Sequence, residues 1–134
     1  MANTQTGATI MDVKRIQREF SDAQNYFAYL ELHPTTAGKV YARTALQTSE
    51  GLYVLSIRFP DSYPNEMPRI FIDAPAITTS PHRYEAGNIC YLHPSMWNPG
   101  LHDLTFVIKR AAKWLSKYEV WRQRGRWPGA SIKH

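Results

Sequence analysis

The chain has 134 residues, of which 43% are hydrophobic and 20% charged, and it carries a formal net charge of +5. A chain of this length and composition fits one globular domain with one hydrophobic core, so residues 1–134 are interpreted as a single domain and wholesale disorder is excluded. No run reaches the roughly 20 apolar residues of a membrane-spanning helix, and the N-terminus has no basic region followed by an apolar run. Because Cys90 is the only cysteine, an internal disulfide is excluded and a reducing, cytoplasmic setting is expected.

A helix followed by strands is predicted for the first half of the chain. Thr9 and Asp12 have the spacing of a capping box. Apolar residues then repeat at helical spacing over residues 10–22, and they are Ile10, Val13, Ile16, Phe20 and Ala23. Short apolar and aromatic runs next predict four strands at residues 27–32, 40–46, 52–59 and 69–72. The connections are too short for crossover helices, so an antiparallel meander is expected.

The second half of the chain is predicted to hold a long loop and one helix. Residues 74–103 contain several Pro and Gly residues and no long periodic segment. A loop of about 30 residues in a compact domain is usually functional. A helix is then predicted over residues 104–122, ended by Gly125. Its apolar face consists of Leu104, Ile108, Ala111, Leu115 and Tyr118.

The positive charge is concentrated near the C-terminus. Residues 105–134 hold eight Lys or Arg against one acid, Glu119, whereas residues 1–104 hold eight against ten. Three of the lysines recur every four residues and would line one helix side: Lys109, Lys113 and Lys117. We interpret them as a solvated face, because a single-strand binder would add a Gly and aromatic pattern, and no nucleic-acid or membrane partner is expected. The four tryptophans are interpreted as core and lid residues: Trp97, Trp114, Trp121 and Trp127.

Cys90 is the candidate nucleophile. It follows the turn residue Gly87 in the polar loop, with His82 upstream and His93 three residues downstream. A nearby imidazolium, or the guanidinium of Arg83, would favour its thiolate form. A thiol in this position is expected to be partly exposed, and the nucleophile hypothesis requires that an incoming acyl group can reach the sulfur.

Five ordered pieces of sequence around this cysteine resemble the ubiquitin-conjugating enzyme family. They are Phe59-Pro60-Asp61-Ser62-Tyr63-Pro64, Pro68-Arg69-Ile70-Phe71, His82, Gly87-Asn88-Ile89-Cys90 and Trp97-Asn98-Pro99. Residues 112–129 are similar to bacterial members of type II CBASS antiphage operons. The resemblance implies an α+β, UBC-like fold with an N-terminal helix, a four-stranded antiparallel meander, an active-site loop and a C-terminal helix.

The resemblance also implies a thioester carrier. Cys90 would accept the C-terminal carbonyl of a Gly-terminated protein and pass it to an amine. The implied cargo is a ubiquitin-like protein or the C-terminus of a cGAS-like nucleotidyltransferase (CD-NTase), and an activating enzyme is a candidate further partner. Thiol–thioester exchange is nearly balanced in energy, so the protein has to orient the sulfur and stabilise a brief oxyanion. This chemistry requires no metal or cofactor.

One motif of the family is changed here. The family has a His-Pro-Asn motif ten residues before its cysteine, whereas His82 precedes Cys90 by eight and is followed by Arg83 and Tyr84. The resemblance implies that His82 fixes the loop by hydrogen bonding rather than acting as a base. The candidates to replace the missing oxyanion-stabilising Asn are Tyr84, Asn88, Asn98 and backbone N–H groups. The residues expected to contact a partner protein are Trp97, Pro99 and His93.

Two alternatives to the carrier remain open. A metal site could be formed by His82, Cys90, His93 and His102, since Cys-x-x-His is a reachable ligand pair. A non-catalytic binding module of the same fold would hold a partner protein without chemistry. A papain-like protease is less favoured than the metal site, because Cys90 follows a Gly turn and no helix opens at the cysteine.

Overall fold

The four strands form one antiparallel sheet in the order β1-β2-β3-β4. The structure, a computed structural model, describes residues 10–35 and 37–129. In chain order its elements are α1 (Val13–Ala23), β1 (Glu31–Pro34), β2 (Val40–Gln47), β3 (Leu52–Arg58), β4 (Arg69–Ala74), a 3-10 turn (Pro94–Met96) and α2 (Leu104–Arg124). This arrangement confirms the predicted α+β fold with its meander. No helix within the described residues is both long and apolar enough to cross a membrane.

Helix α1 begins three residues later than predicted because Asp12, and not Thr9, is its N-cap. The Asp12 carboxylate accepts a hydrogen bond from the Arg15 N–H at 3.0 Å. Thr9, and with it the predicted capping box, lies outside the described residues. Ile10 was expected on the buried face, but it precedes the helix and is 73% exposed.

The predicted bounds of the first strand are wrong. The aromatic run from Phe27 predicted a strand over residues 27–32, yet β1 begins at Glu31. The intervening segment continues in turns from α1: the Phe27 N–H donates to Ala23 O at 3.0 Å, and the Leu30 N–H donates to Phe27 O at 3.2 Å. Backbone groups already bonded within these turns do not pair with a neighbouring strand. The other three strands begin at the predicted residues.

Helix α2 lies against the hydrophobic core. All members of its predicted apolar face are buried: Leu104, Ile108, Ala111, Leu115 and Tyr118. They share one cluster with Leu55, Ile57 and Ile70 of the sheet. The helix ends as predicted at Gly125, which adopts a left-handed conformation with φ 73° as the C-cap.

A buried carboxylate joins α1 to the loops near the start of α2. Glu19 is only 8% exposed and accepts hydrogen bonds from the Tyr63 hydroxyl and the Leu104 N–H at 2.5 and 2.9 Å. Its other oxygen pairs with Arg15 at 2.5 Å. Arg15 also donates to two carbonyl oxygens of the long loop, those of Pro99 and His102. The Tyr of the Phe-Pro-x-x-Tyr-Pro motif is therefore part of a network that fixes the end of the loop.

A second buried carboxylate joins α2 to the β2–β3 turn. Glu119, the one acid of the basic segment, is 4% exposed. It accepts hydrogen bonds from the hydroxyl groups of Thr48 and Ser49. Burial and the hydrogen bond to Glu119 raise the pKa of Tyr53, which keeps that hydroxyl protonated. These contacts fix the C-terminal half of α2 against the sheet.

Candidate functional site

A short hairpin in the long loop holds Cys90. Arg83 and Ile89 form an isolated antiparallel bridge, and the turn between them contains Gly87 with φ 99°, a conformation that favours glycine. The Cys90 N–H donates to the carbonyl oxygen of His82 at 2.8 Å. The main chain at the cysteine is therefore fixed by the residue with which the hairpin begins.

His82 contacts both the hairpin and the helix. Its carbonyl oxygen also accepts a hydrogen bond from Nε1 of Trp114 on α2 at 3.0 Å. Its imidazole lies 4.8 Å from the Trp127 ring, centroid to centroid. Burial, together with the positive charge of Lys117, lowers the pKa of His82 and favours the neutral ring. The carbonyl of His82 makes the hydrogen bond that holds Cys90.

The Tyr84 hydroxyl lies 3.3 Å from Sγ of Cys90. Burial raises the pKa of Tyr84 to about 12, and its hydrogen bond to Cys90 adds to this effect. The hydroxyl therefore keeps its proton at neutral pH and can donate to a thiolate or to an oxyanion formed at the sulfur. Of the three side chains predicted as oxyanion donors, Tyr84 is the one with a hydrogen bond to the cysteine.

The Cys90 thiol is buried, not partly exposed as expected from its polar loop. The residue is 1% exposed. Burial raises the pKa of the Cys90 thiol, while the Tyr84 hydroxyl and the charge of Arg110 act in the opposite direction. At neutral pH the resting sulfur is therefore a thiol.

A small pocket lies beside Cys90. Its volume is about 20 Å³, enough for about one water molecule. Its lining consists of His82, Cys90, Tyr91, Arg110, Lys113, Trp114, Lys117 and Trp127. Lys113 is exposed, so the pocket reaches the protein surface. One side is closed by Trp127, whose ring lies 5.4 Å from that of Trp114, which agrees with the expected lid role.

The basic residues of α2 divide between two places. Lys113 and Lys117, predicted for a solvated face, line the Cys90 pocket together with Arg110. Arg110 also donates to the Tyr91 carbonyl oxygen at 2.9 Å. Lys109, by contrast, places its ammonium 4.6 Å from the centre of the Tyr26 ring. The helical spacing predicted that the lysines line one side of α2. It did not indicate that two of them lie beside Cys90, because this depends on where the hairpin lies.

Asn88 and Asn98 do not line the pocket of Cys90. Asn88 is buried and lines a separate groove of about 580 Å³, which Tyr84 lines as well. The Asn98 amide oxygen accepts a hydrogen bond from the Gly100 N–H at 2.8 Å, and this contact shapes the turn before α2. Their part in oxyanion binding stays a prediction, and Tyr84 is favoured by its contact with the Cys90 sulfur, although it does not line the pocket either.

The three residues predicted to contact a partner lie along the end of the loop. Trp97 donates from Nε1 to the Pro64 carbonyl oxygen at 2.8 Å and lines the larger groove. The Pro99 carbonyl oxygen accepts from Arg15. His93 caps the 3-10 turn by accepting from the Ser95 N–H at 3.2 Å. Each is half-buried, and partner contact stays a prediction.

The structure does not gather the alternative metal ligands. In the part of the chain that is described, no three or more His, Cys, Asp or Glu side chains are grouped so that they could hold a metal ion. His82 and Cys90 line one pocket, whereas the His102 ring stacks on Phe106 at 4.0 Å. The residues that line the Cys90 pocket and that sequence reasoning did not assign to the site are Tyr91, Arg110, Lys113, Trp114, Lys117 and Trp127.

Known proteins are similar to this chain in sequence. A family model described as "Type II CBASS E2 protein" matches residues 17–134. A putative ubiquitin-conjugating enzyme E2 39 of Arabidopsis thaliana is 29% identical over 68 residues, which are 51% of this chain and 19% of that protein. The chain therefore spans about a fifth of that relative's length.

Two solved structures have a similar fold. The Vps23 UEV, solved in a complex with ubiquitin, has a TM-score of 0.57 at 19% identity, covering 81% of this chain and 86% of that one. Human ubiquitin-conjugating enzyme E2 G1 has a TM-score of 0.55 at 15% identity, covering 75% and 91%. At these identities the likeness concerns the fold, which is UBC-like.

Proposed function

The chain belongs to the type II CBASS E2 protein family, whose class is ubiquitin-conjugating-like, and we propose that it carries a Gly-terminated protein as a thioester on Cys90. The cargo is then passed to an amine. The observation that carries this proposal is the 3.3 Å contact between the Tyr84 hydroxyl and the sulfur of Cys90, a residue that also lines a pocket reaching the surface. A buried structural cysteine requires neither a hydroxyl partner nor a pocket.

The first step is attack of the Cys90 sulfur on an activated C-terminal carbonyl of the cargo. The thiol loses its proton, a C–S bond forms, and the activating group leaves with the electron pair of its bond to the carbonyl carbon. Negative charge develops on the carbonyl oxygen in the transition state. A donor that is already in position stabilises that charge without reorganisation, and Tyr84 supplies such a hydroxyl in place of the missing Asn.

The second step is attack of an amine on the thioester. A C–N bond forms, the C–S bond breaks, the amine loses a proton and Cys90 regains its thiol. The main-chain contact from Cys90 to His82 fixes the sulfur during both steps. The pocket of about 20 Å³ is too small for a glycine terminus, so Trp127 must move before the cargo can enter.

The identity of the cargo is proposed from the family of the chain and not from any feature of the pocket. A type II CBASS setting favours the C-terminus of a cGAS-like CD-NTase or a ubiquitin-like protein. An activating enzyme would supply the activated carbonyl. The Vps23 UEV was solved with ubiquitin, and that relative supports a surface able to hold a ubiquitin-like protein.

A non-catalytic binding module is the second candidate, and the 1% exposure of Cys90 favours it. In that case the chain would hold its partner without an adduct. The two candidates differ in whether a covalent bond forms at the sulfur.

The test is to incubate the chain with a Gly-terminated CD-NTase or ubiquitin-like protein and its activating enzyme, and to measure intact mass. A carrier gives an adduct that dithiothreitol removes and that Cys90→Ala does not form. Cys90→Ser should give an adduct that resists dithiothreitol, because an oxygen ester replaces the thioester. Tight binding by the wild type without any adduct would refute the carrier and favour the binding module.

A further inference from the structure

Lys117 lies in the same pocket as Cys90. Both residues line the cavity of about 20 Å³, Lys117 from α2 and Cys90 from the hairpin. Lys117 is half-buried, and its Nζ lies 3.5 Å from the position that a Cβ on Gly129 would occupy. The Lys117 ammonium group therefore lies close to the segment that follows α2. The positive charge of Lys117 helps to lower the pKa of His82.

The chemistry of an acyl acceptor requires an amine that can lose its proton. An ordinary lysine is almost fully protonated at neutral pH. Burial, followed by the charges of Lys113 and Arg110, lowers the pKa of Lys117. A larger fraction of this amine is therefore neutral than of a lysine in open solvent, and a neutral amine is the nucleophile that attacks a thioester.

We infer that Lys117 is an internal acceptor, which takes the acyl group from Cys90 in the pocket they share once Trp127 has moved aside. This inference rests on the proposed thioester at Cys90. The Lys117 nitrogen attacks the thioester carbonyl, a C–N bond forms and the C–S bond breaks. The proton lost by the amine ends on the departing sulfur. The product is an amide between the cargo's C-terminus and Lys117, with the Cys90 thiol restored.

Lys117 is favoured over the other lysines of α2 by its position. Lys109 contacts the Tyr26 ring and does not line the pocket. Lys113 lines the pocket but is exposed to solvent, whereas Lys117 is half-buried. Two groups confined to one small cavity react as if at very high concentration. The internal transfer would leave the cargo attached to the chain by a bond that thiols do not cleave.

The experiment uses a synthetic peptide ending in Gly-Gly as its mercaptoethanesulfonate thioester, so that no activating enzyme is needed. The full chain is incubated with the peptide at neutral pH. One sample is measured directly for the labile adduct, and another after dithiothreitol for the stable one. Peptide mapping locates the stable adduct. The amide yield is expressed per thioester formed, so that any effect of a substitution on charging is divided out.

The expected result is a labile adduct on Cys90 that converts to a stable adduct on Lys117. Lys117→Arg keeps the charge but cannot accept the acyl group. It should lower the stable yield about tenfold or more, because Lys109 lies outside the pocket and Lys113, which lines it, is exposed to solvent. Lys109→Arg is the matched control on the same helix outside the pocket and should keep the wild-type yield.

Three results would overturn the inference. A labile adduct on Cys90 without acylation of Lys117 refutes the internal acceptor and leaves the thioester carrier standing. Acylation of Lys117 at the wild-type rate in Cys90→Ala would mean direct attack on the peptide, with no transfer from the cysteine. A complete lack of adduct on Cys90 refutes the carrier, and the inference that rests on it fails as well.

Discussion

The indole ring of Trp127 lies 4.8 Å from the imidazole of His82, so the segment after α2 closes one side of the pocket that contains Cys90. A second ring contact, 5.4 Å to Trp114, holds Trp127 against the helix. Contacts of this kind contribute about 0.5–1.5 kcal/mol each beyond their buried area. Opening the pocket therefore requires only a few aromatic contacts to separate, while the sheet and both helices stay in place.

Trp127→Ala should make the Cys90 thiol accessible. We expect alkylation by iodoacetamide to become about tenfold faster, because loss of both ring contacts removes ~1–2 kcal/mol from the closed state. The rate is measured by intact mass at fixed pH. Trp121→Ala is the control, since Trp121 is also half-buried but does not line the pocket. Equal rates in the wild type and Trp127→Ala would mean that another part of the loop controls access.

Tyr84→Phe should make Cys90 a weaker nucleophile. The hydroxyl lowers the pKa of the thiol against the effect of burial, so its removal should raise that pKa further. The rate of alkylation below the pKa should fall about three- to tenfold, the value of one hydrogen bond of ~1 kcal/mol. A pH series of alkylation rates gives both quantities. Tyr41→Phe makes the same chemical change on the sheet, and a matching loss there would contradict the assigned role.

Glu19→Ala should destabilise the whole fold. It leaves the Tyr63 hydroxyl and the Leu104 N–H without their buried acceptor and removes the partner of Arg15. We expect a loss of about 3 kcal/mol, and a fall in Tm of about 10 °C.

Two further substitutions test the explanation for Glu19. Glu19→Gln keeps an acceptor oxygen and should cost less than Glu19→Ala. Asp22 lies on the exposed side of α1, so Asp22→Ala should change Tm little. Thermal unfolding followed by circular dichroism measures all three. A Tm for Glu19→Ala close to that of Asp22→Ala would show that the network contributes little stability.

The stability of the fold should depend on the protonation of His82. Its pKa is lowered in the folded chain by burial and by Lys117, so the unfolded chain binds a proton first as the pH falls. The contribution is full above the ordinary His pKa of about 6.5 and is lost as the pH falls through the lowered folded value. Urea unfolding at several pH values should show this slope. His82→Gln should reduce it and His33→Gln should keep it; an unchanged slope in His82→Gln would assign the effect elsewhere.

The regular elements were predictable because their signals are local. Strands β2, β3 and β4 begin where alternating apolar runs begin, and α2 ends at the glycine that its sequence indicates. The start of β1 was not predictable in this way, because an aromatic run such as that from Phe27 suits a strand and a series of turns equally well. The local backbone hydrogen bond from the Phe27 N–H to Ala23 O, which continues the turns of α1, decides between them.

The composition of the site was only partly predictable. Cys90, His82 and Tyr84 are close in sequence, so the motif located them together. Lys117 and Trp127 reach the pocket through the packing of α2 on the hairpin, a long-range contact that no local pattern encodes. Glu19 was not predicted either. It lies three residues after Ile16 and four before Ala23 on the buried face of α1, but an acidic side chain gives no sign of burial without its partners Tyr63 and Leu104.

The size of the cavity beside the sulfur has a consequence for redox chemistry in the cell. A space of about 20 Å³ admits water but not a tripeptide such as glutathione. Mixed disulfides form only when a second thiol can approach a sulfur directly. While the pocket is closed, the Cys90 thiol is therefore protected from glutathionylation. Large reagents reach it only when the pocket is open.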